Sequence, residues 1–356
     1  LTMKHFSEGD WERIRRDWQL WWDHELDRPL VVIERLEGYD VAPEMIPDVV
    51  KHASDLPAEM PAADVVDYYA ELISRTRYYG DAFPRWYPDF GPGVLAAFLG
   101  AEPTPMDHSV WYDPIFEGSI IDLELEIDPQ NHLWQRICKL TETAVDRWGR
   151  DAVVGYVDLG GNLDILASIY NSEDLLMALM QQPDEVERVT QRITELWLSC
   201  YGQLDALIAP VGAGSTAWAQ MWAPESFYML QSDFSIMISP QMFAQFVMPD
   251  LAACVNQIAY PFYHLDGPGA LRHLDQLLSL EKLRGIQWIP GAGAPTPEEW
   301  LPELKRIRDA GKLCQVYVTP EGARTIAGEL GGKGFCFVIF EGVGHEDAIE
   351  LISSLT

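Results

Sequence analysis

The strongest constraint on this chain is the way its short apolar runs end. "PFYHLDG" (Pro261–Gly267), "GIQWIPGAG" (Gly285–Gly293), "LCQVYVTP" (Leu313–Pro320) and "GFCFVIFEG" (Gly334–Gly342) are rich in β-branched or aromatic residues, and each closes on glycine, proline or aspartate. Between them lie "ALRHLDQLLSL" and "PEEWLPELKRIRDAG", whose apolar residues recur at helical spacing. Nearly continuous apolar strands alternating with helices describe a parallel sheet covered on both faces. "PLVVIERLEG" (Pro29–Gly38), "DAVVGYVDLGGN" (Asp151–Asn162) and "STAWAQMW" (Ser215–Trp222) extend the series, and a long helical pattern starts at Ser172. Seven or eight such units predict an α/β fold, a (β/α)8 TIM barrel forming one domain over residues 1–356. Residues 1–28 read as a helical cap, in which Trp11, Trp18, Trp21 and Trp22 at helical spacing form a packing face.

Charge narrows the partners. The 55 acidic residues outnumber 25 basic ones, for a formal charge of −30, and such a surface repels nucleic-acid backbones and anionic membranes. It serves solubility, or docking on a basic partner. Five scattered cysteines (Cys138, Cys200, Cys254, Cys314, Cys336) with no CxxC pair predict reduced thiols and a cytoplasmic location. The charged start "LTMKHFSEGDWERIRRDW" lacks the apolar core of a secretory signal, and no apolar run is long enough to span a bilayer.

In barrels of this kind, chemistry sits where strands end and loops begin. The polar residues there are Glu34, Arg35, Asp158, Asn162, Asp164, Gln220, Trp222, His264, Asp266, Gln287, Trp288 and Glu341. Two of them have a plainer reading. His264 could be a hydrogen-bonded core histidine, and Asp266 before Gly-Pro-Gly could cap a turn or the helix beginning near Ala270. "GAGAP" (Gly291–Pro295) lacks the spacing and lysine of a phosphate loop and reads, like "GGN" (Gly160–Asn162), as a place of close backbone approach. A convergent set this rich in carboxylates nevertheless describes a site.

"QSDFSIMISPQMFAQFVMPDL" (Gln231–Leu251), the "YHLDG" turn and "DRPLVVIERLEGY" (Asp27–Tyr39) resemble, in order and spacing, segments of the uroporphyrinogen decarboxylase superfamily. The resemblance implies a (β/α)8 barrel that either decarboxylates uroporphyrinogen or moves methyl groups to and from corrinoid proteins and thiols. The decarboxylase branch uses two opening arginines and a late Gly-His-Gly turn. Here Arg35 falls at the first arginine, Glu37 and Tyr39 depart from the rest, and Glu341 follows the last strand, with His345 beyond it at a helix start. Carboxylates at Glu34, Glu37, Asp158, Asp164 and Asp266 would also repel a polycarboxylate tetrapyrrole.

The methyltransferase branch holds zinc with a His-x-Cys turn and a late cysteine. In this chain His264, Asp266 and Glu341 fall near those places, so the resemblance assigns them as metal ligands or an acid/base cluster. Imidazole and carboxylate are competent zinc donors; the oxygen-rich set also admits manganese, iron or magnesium. Such a site suits polarising an oxygen or activating water. The expectation is a metal-assisted methyltransferase acting on a small or corrinoid-borne methyl group, the corrinoid supplied by a partner protein. Asp158, Asn162, Gln220, Trp222, Asp233, Gln287 and Trp288 would line the substrate pocket, with Arg35 as cationic anchor. The alternatives are a metal-free carboxy-lyase, a glycoside-processing enzyme pairing Glu341 with Asp158 or Asp266 and stacking sugar on Trp222 and Trp288, and an idle binding protein.

Overall fold

Seven consecutive buried residues, Leu30–Leu36, form strand β1, one place in from the edge of the main sheet. In the computed structural model, which describes residues 6–46, 49–106, 109–340 and 343–356, ten further strands follow. They are β2 (Thr76–Gly80), β3 (Arg85–Trp86), β4 (Pro103–Met106), β5 (Ser109–Tyr112), β6 (Val153–Val154), β7 (Phe227–Leu230), β8 (Tyr260–Asp266), β9 (Gly285–Ile289), β10 (Leu313–Tyr317) and β11 (Phe335–Ile339). Glu341 lies outside the described residues.

The main sheet is mixed α/β in character and mostly parallel, with strand order β2-β1-β11-β10-β9-β8-β7. Among the described residues it does not close. β2 runs antiparallel along β1 from Val32↔Gly80 to Leu36↔Thr76, which uses the edge where a further parallel strand would pair. Strands β3 and β6 form their own short parallel ladder, and β4 and β5 an antiparallel one. The "STAWAQMW" run is not a strand. It makes only an isolated bridge, Ser215↔Ala223, because Ala217, Ala219, Met221 and Trp222 turn into the core, and Phe227–Leu230 supplies the sheet strand instead. The helical pattern from Ser172 divides at Pro183 into Ser172–Gln181 and Pro183–Ile208, as expected where proline removes a backbone donor.

Alternation along each strand builds two cores. Val31, Ile33, Tyr263, Leu265, Cys314 and Val316 face the covering helices. Leu30, Val32, Phe227, Met229, Phe262, Leu313, Cys336 and Val338 face the other way, against helix α1 (Glu8–Trp22). Ser7 caps α1 in a reciprocal box with Asp10. Its tryptophans then plug the N-terminal ends of the strands, with indole N–H groups donating to the carbonyls of Asp81 (2.9 Å, from Trp18), Phe335 (3.1 Å, from Trp21) and Trp222 (2.8 Å, from Trp22). The predicted tryptophan packing face is thus present. Asp81 anchors the plug: it takes two hydrogen bonds from Arg28, at 2.7 and 2.8 Å, and one from the Val31 amide at 2.9 Å.

Candidate metal centre

Phe262, His264 and Asp266 share one face of β8, so climbing that strand moves from aromatic core to imidazole to carboxylate. Phe262 fits beneath its neighbours because β9 begins with glycine. A Cβ on Gly285 would lie 2.1 Å from the Phe262 ring and 2.4 Å from the Leu313 carbonyl. Pairing sets His264 beside Gln287 and Gln287 beside Gln315.

These three side chains form a relay with a defined direction. His264 Nδ1 lies 2.5 Å from Gln287 Oε1, Gln287 Nε2 donates to Gln315 Oε1 at 2.6 Å, and Gln315 Nε2 donates to the Gln220 carbonyl at 3.5 Å. A carbonyl only accepts, so Gln315 must present its oxygen to Gln287, and Gln287 must present its oxygen to the histidine. His264 therefore carries its proton on Nδ1 and turns Nε2 free for a ligand. Burial lowers its pKa below the usual value, against the opposing pull of Gln287 and Asp266, which keeps the ring neutral near pH 7. Trp218 stands edge-on to the ring, centroids 5.1 Å apart.

Asp233 reaches the same place from the turn after β7. The turn is tied on two sides: Asp164 accepts from the amides of Asp233 (3.0 Å) and Phe234 (2.7 Å), and the His273 ring Nε2 donates to the Ser235 carbonyl at 2.9 Å. Gly161 permits the approach, since a Cβ there would meet the Gln231 carbonyl at 2.2 Å. This bears out close backbone approach as the reason for "GGN". One ligand atom each from Asp233, His264 and Asp266 lies within 4.8 Å of the others, a spacing on which a single cation could be held. The carboxyls around it are proton-hungry. Burial and then the charge of Asp233 push Asp164 up to about 7 and Asp158 up to about 8; Asp233, a solvent-exposed residue, is raised to about 6 by partial desolvation and by Asp266.

The remaining expectations divide. Asp158 is buried, accepting from the Gly160 amide at 3.0 Å. Gln220 receives the Tyr317 hydroxyl at 3.0 Å and ends the relay. Asp266 caps no helix: the turn Pro268–His273 has Gly267 at its cap position. Four predicted pocket residues are placed elsewhere. Asn162 spends its amide on the Phe246 carbonyl (2.8 Å) and the Leu163 amide (2.7 Å). Trp222 donates to the Ala213 carbonyl at 3.0 Å and packs in the core with α1. Trp288, one residue past Gln287, faces the opposite side and meets Trp300 edge-on. Arg35, one past Glu34, donates to the backbone carbonyls of Glu34, Ile339 and Val343. In each of the last two cases the one-residue step flips the side chain to the other face.

Several members escaped sequence reading. Arg85 pairs with Glu34, Nε to Oε1 at 3.0 Å, but its strand has only two residues and is flanked by prolines in "AFPRWYPDF". Gln315 left a usable signal, an amide in the middle of "LCQVYV", in the same register as Gln287 in "GIQWI". No family model matches the chain, and comparison with curated proteins returns no match.

Proposed function

We propose that this chain is a metal-assisted methyltransferase of the uroporphyrinogen decarboxylase type, working in the cytoplasm on a small or corrinoid-borne methyl group. The carrying observation is the convergence of Asp233, His264 and Asp266 with a histidine whose free nitrogen is dictated by its hydrogen bonds. Asp233 takes the third ligand position that the sequence had offered to Glu341. The finer reading of the fold accompanies it. Six parallel strands of the main sheet together with β3 and β6 make eight, in chain order around a (β/α)8 barrel with two unpaired seams.

One nitrogen and two carboxylate oxygens fit zinc with an open position, and suit manganese or iron as well. A cation held there would polarise an oxygen on the methyl donor or acceptor. The chain's own parts divide the remaining work. His264 holds its orientation through Gln287 and Gln315. Asp164 fixes the turn that presents Asp233. Asp158 keeps a proton at neutral pH and is the acid at the mouth.

Calorimetric titration of chelator-treated protein with zinc and with manganese tests the reading. One equivalent should bind to wild type and fail to bind His264→Ala and Asp266→Asn. Demethylation of methylcobalamin, followed by its visible spectrum, should need the metal-loaded wild type. If neither metal binds, or if both variants bind as wild type does, the reading falls.

A further inference from the structure

At the seam where β1 and β3 do not pair lies a cavity of about 450 Å³. Helix α2 (Ala62–Arg75) forms one wall with Leu72 and Ile73, and the Tyr69 and Trp86 rings, centroids 5.2 Å apart, form another. The Glu34–Arg85 ion pair, with both side chains more than nine-tenths buried, also lines it. Volume and walls suit a one- or two-ring molecule.

The polar end of the cavity is assembled in advance. The Tyr69 hydroxyl donates to the Lys51 carbonyl at 2.8 Å, and the Tyr68 hydroxyl donates to the Val49 carbonyl at 2.9 Å while accepting the Lys51 amide at 3.0 Å. These bonds hold the segment bearing Lys51 and His52 on α2. Asp89 is occupied: His52 Nδ1 lies 2.5 Å from it, the Tyr87 hydroxyl 2.9 Å and the Gly91 amide 3.1 Å. Glu34 is likewise matched by Arg85. The two lining carboxylates are therefore engaged, and among the described residues the groups offered to a ligand are donors: His52 Nε2, the Lys51 ammonium and the indole Nε1 of Trp86.

We propose that this cavity binds the organic substrate as a flat, largely apolar ring bearing one carboxylate, received by His52 and Lys51. The word substrate rests on the cation-site reading; the pocket itself does not. One stretch of chain connects the two sites: Asp89 accepts from the Gly91 amide at 3.1 Å, the Val94 amide donates to the Asp158 carbonyl at 2.9 Å, and Asp164 holds the turn that carries Asp233.

The probes are 4-methylbenzoate, 4-methylbenzamide and 4-methylbenzylamine, titrated by ligand-observed NMR against metal-free full-length protein. The acid should bind best and the amine worst. Leu72→Trp, which fills the cavity, should abolish binding, and His52→Ala should weaken the acid at least about tenfold while leaving the amide nearly unchanged. Near-UV circular dichroism checks that Leu72→Trp is folded, and His52→Ala carries the test if it is not. Absence of saturable binding up to about 10 mM, preference for the amine, or indifference to both substitutions overturns the pocket. Asp266→Asn separates the two readings. It should bind the acid normally; acid binding without cation uptake in wild type keeps the pocket and removes the cation site, and the reverse removes the pocket.

Discussion

The inner face of the sheet has two halves that differ sharply, although the same strands build both. Its lower half is aromatic and aliphatic, closed by α1, with the indole N–H groups of Trp18, Trp21 and Trp22 given to backbone carbonyls. Its upper half holds an imidazole, three glutamines and several carboxyls whose proton affinities are raised by their setting. On β8 the change takes two residues, from Phe262 to His264. Stability is concentrated below, and groups that are costly to bury are tolerated above because the lower half holds the strands in place.

The sharpest break should come from below. Asp81→Ala strands the Val31 amide and leaves the Arg28 guanidinium with Asp17 and the Pro29 carbonyl alone, and should cost about 3 kcal/mol in urea unfolding, the low end for a broken buried pair. Cation affinity of the folded fraction should be unchanged; if it falls in proportion, the two halves are not separable.

Asp158 tests the upper half in the opposite sense. Its carboxyl titrates at about 8 when folded, against an ordinary value of 3.8, so the folded state holds the proton more tightly. That contribution is fully present below pH 4 and is lost as pH rises from about 4 through about 8. Asp158→Asn should remove this loss, making the variant more stable than wild type at pH 9 by on the order of 2 kcal/mol once the Gly160 hydrogen bond and local relaxation are allowed for. Unfolding curves at pH 5 and pH 9 decide it, and equal pH slopes would reject it.

His264→Ala should cost about 1–3 kcal/mol, through the stranded oxygen of Gln287, and should also end cation binding. Loss of stability with normal cation uptake would make the relay purely structural. The smallest effect concerns proton competition. Because Asp233 and Asp164 titrate at about 6 and about 7, cation affinity should rise with pH through that window and level off above it. A flat profile from pH 5.5 to 8 would place the cation elsewhere.

The lower half was largely legible in the sequence. A tryptophan stripe at helical spacing and continuous apolar strands leave few ways to be buried, and periodicity reports burial directly. The site was legible where a polar residue interrupts an apolar strand, as at His264 and Gln287. It was not legible where facing depends on a single residue step. Arg35 and Trp288 sit beside residues of the site and point away from it, and apolar burial on both sides of the sheet removes the alternation that would have revealed their side. Nor could a two-residue strand between prolines announce Arg85. Asn162 looked like a site residue for a different reason: its amide is consumed by turning the chain into the helix Asn162–Tyr170, and a side chain bonding to backbone has the same sequence signature as one awaiting a ligand.

The glutamine relay has a consequence for proton traffic. A carboxylate behind a histidine can take up charge or share the proton, whereas primary amides neither gain nor lose one in the ordinary pH range. Gln287 and Gln315 thus act as an insulator: they orient the ring without offering its proton an exit inward. Every proton that His264 gains or gives up must pass through Nε2, the same nitrogen a cation would occupy. Binding a cation and moving a proton are therefore mutually exclusive at this ring, and the protein can have one from His264 only by giving up the other.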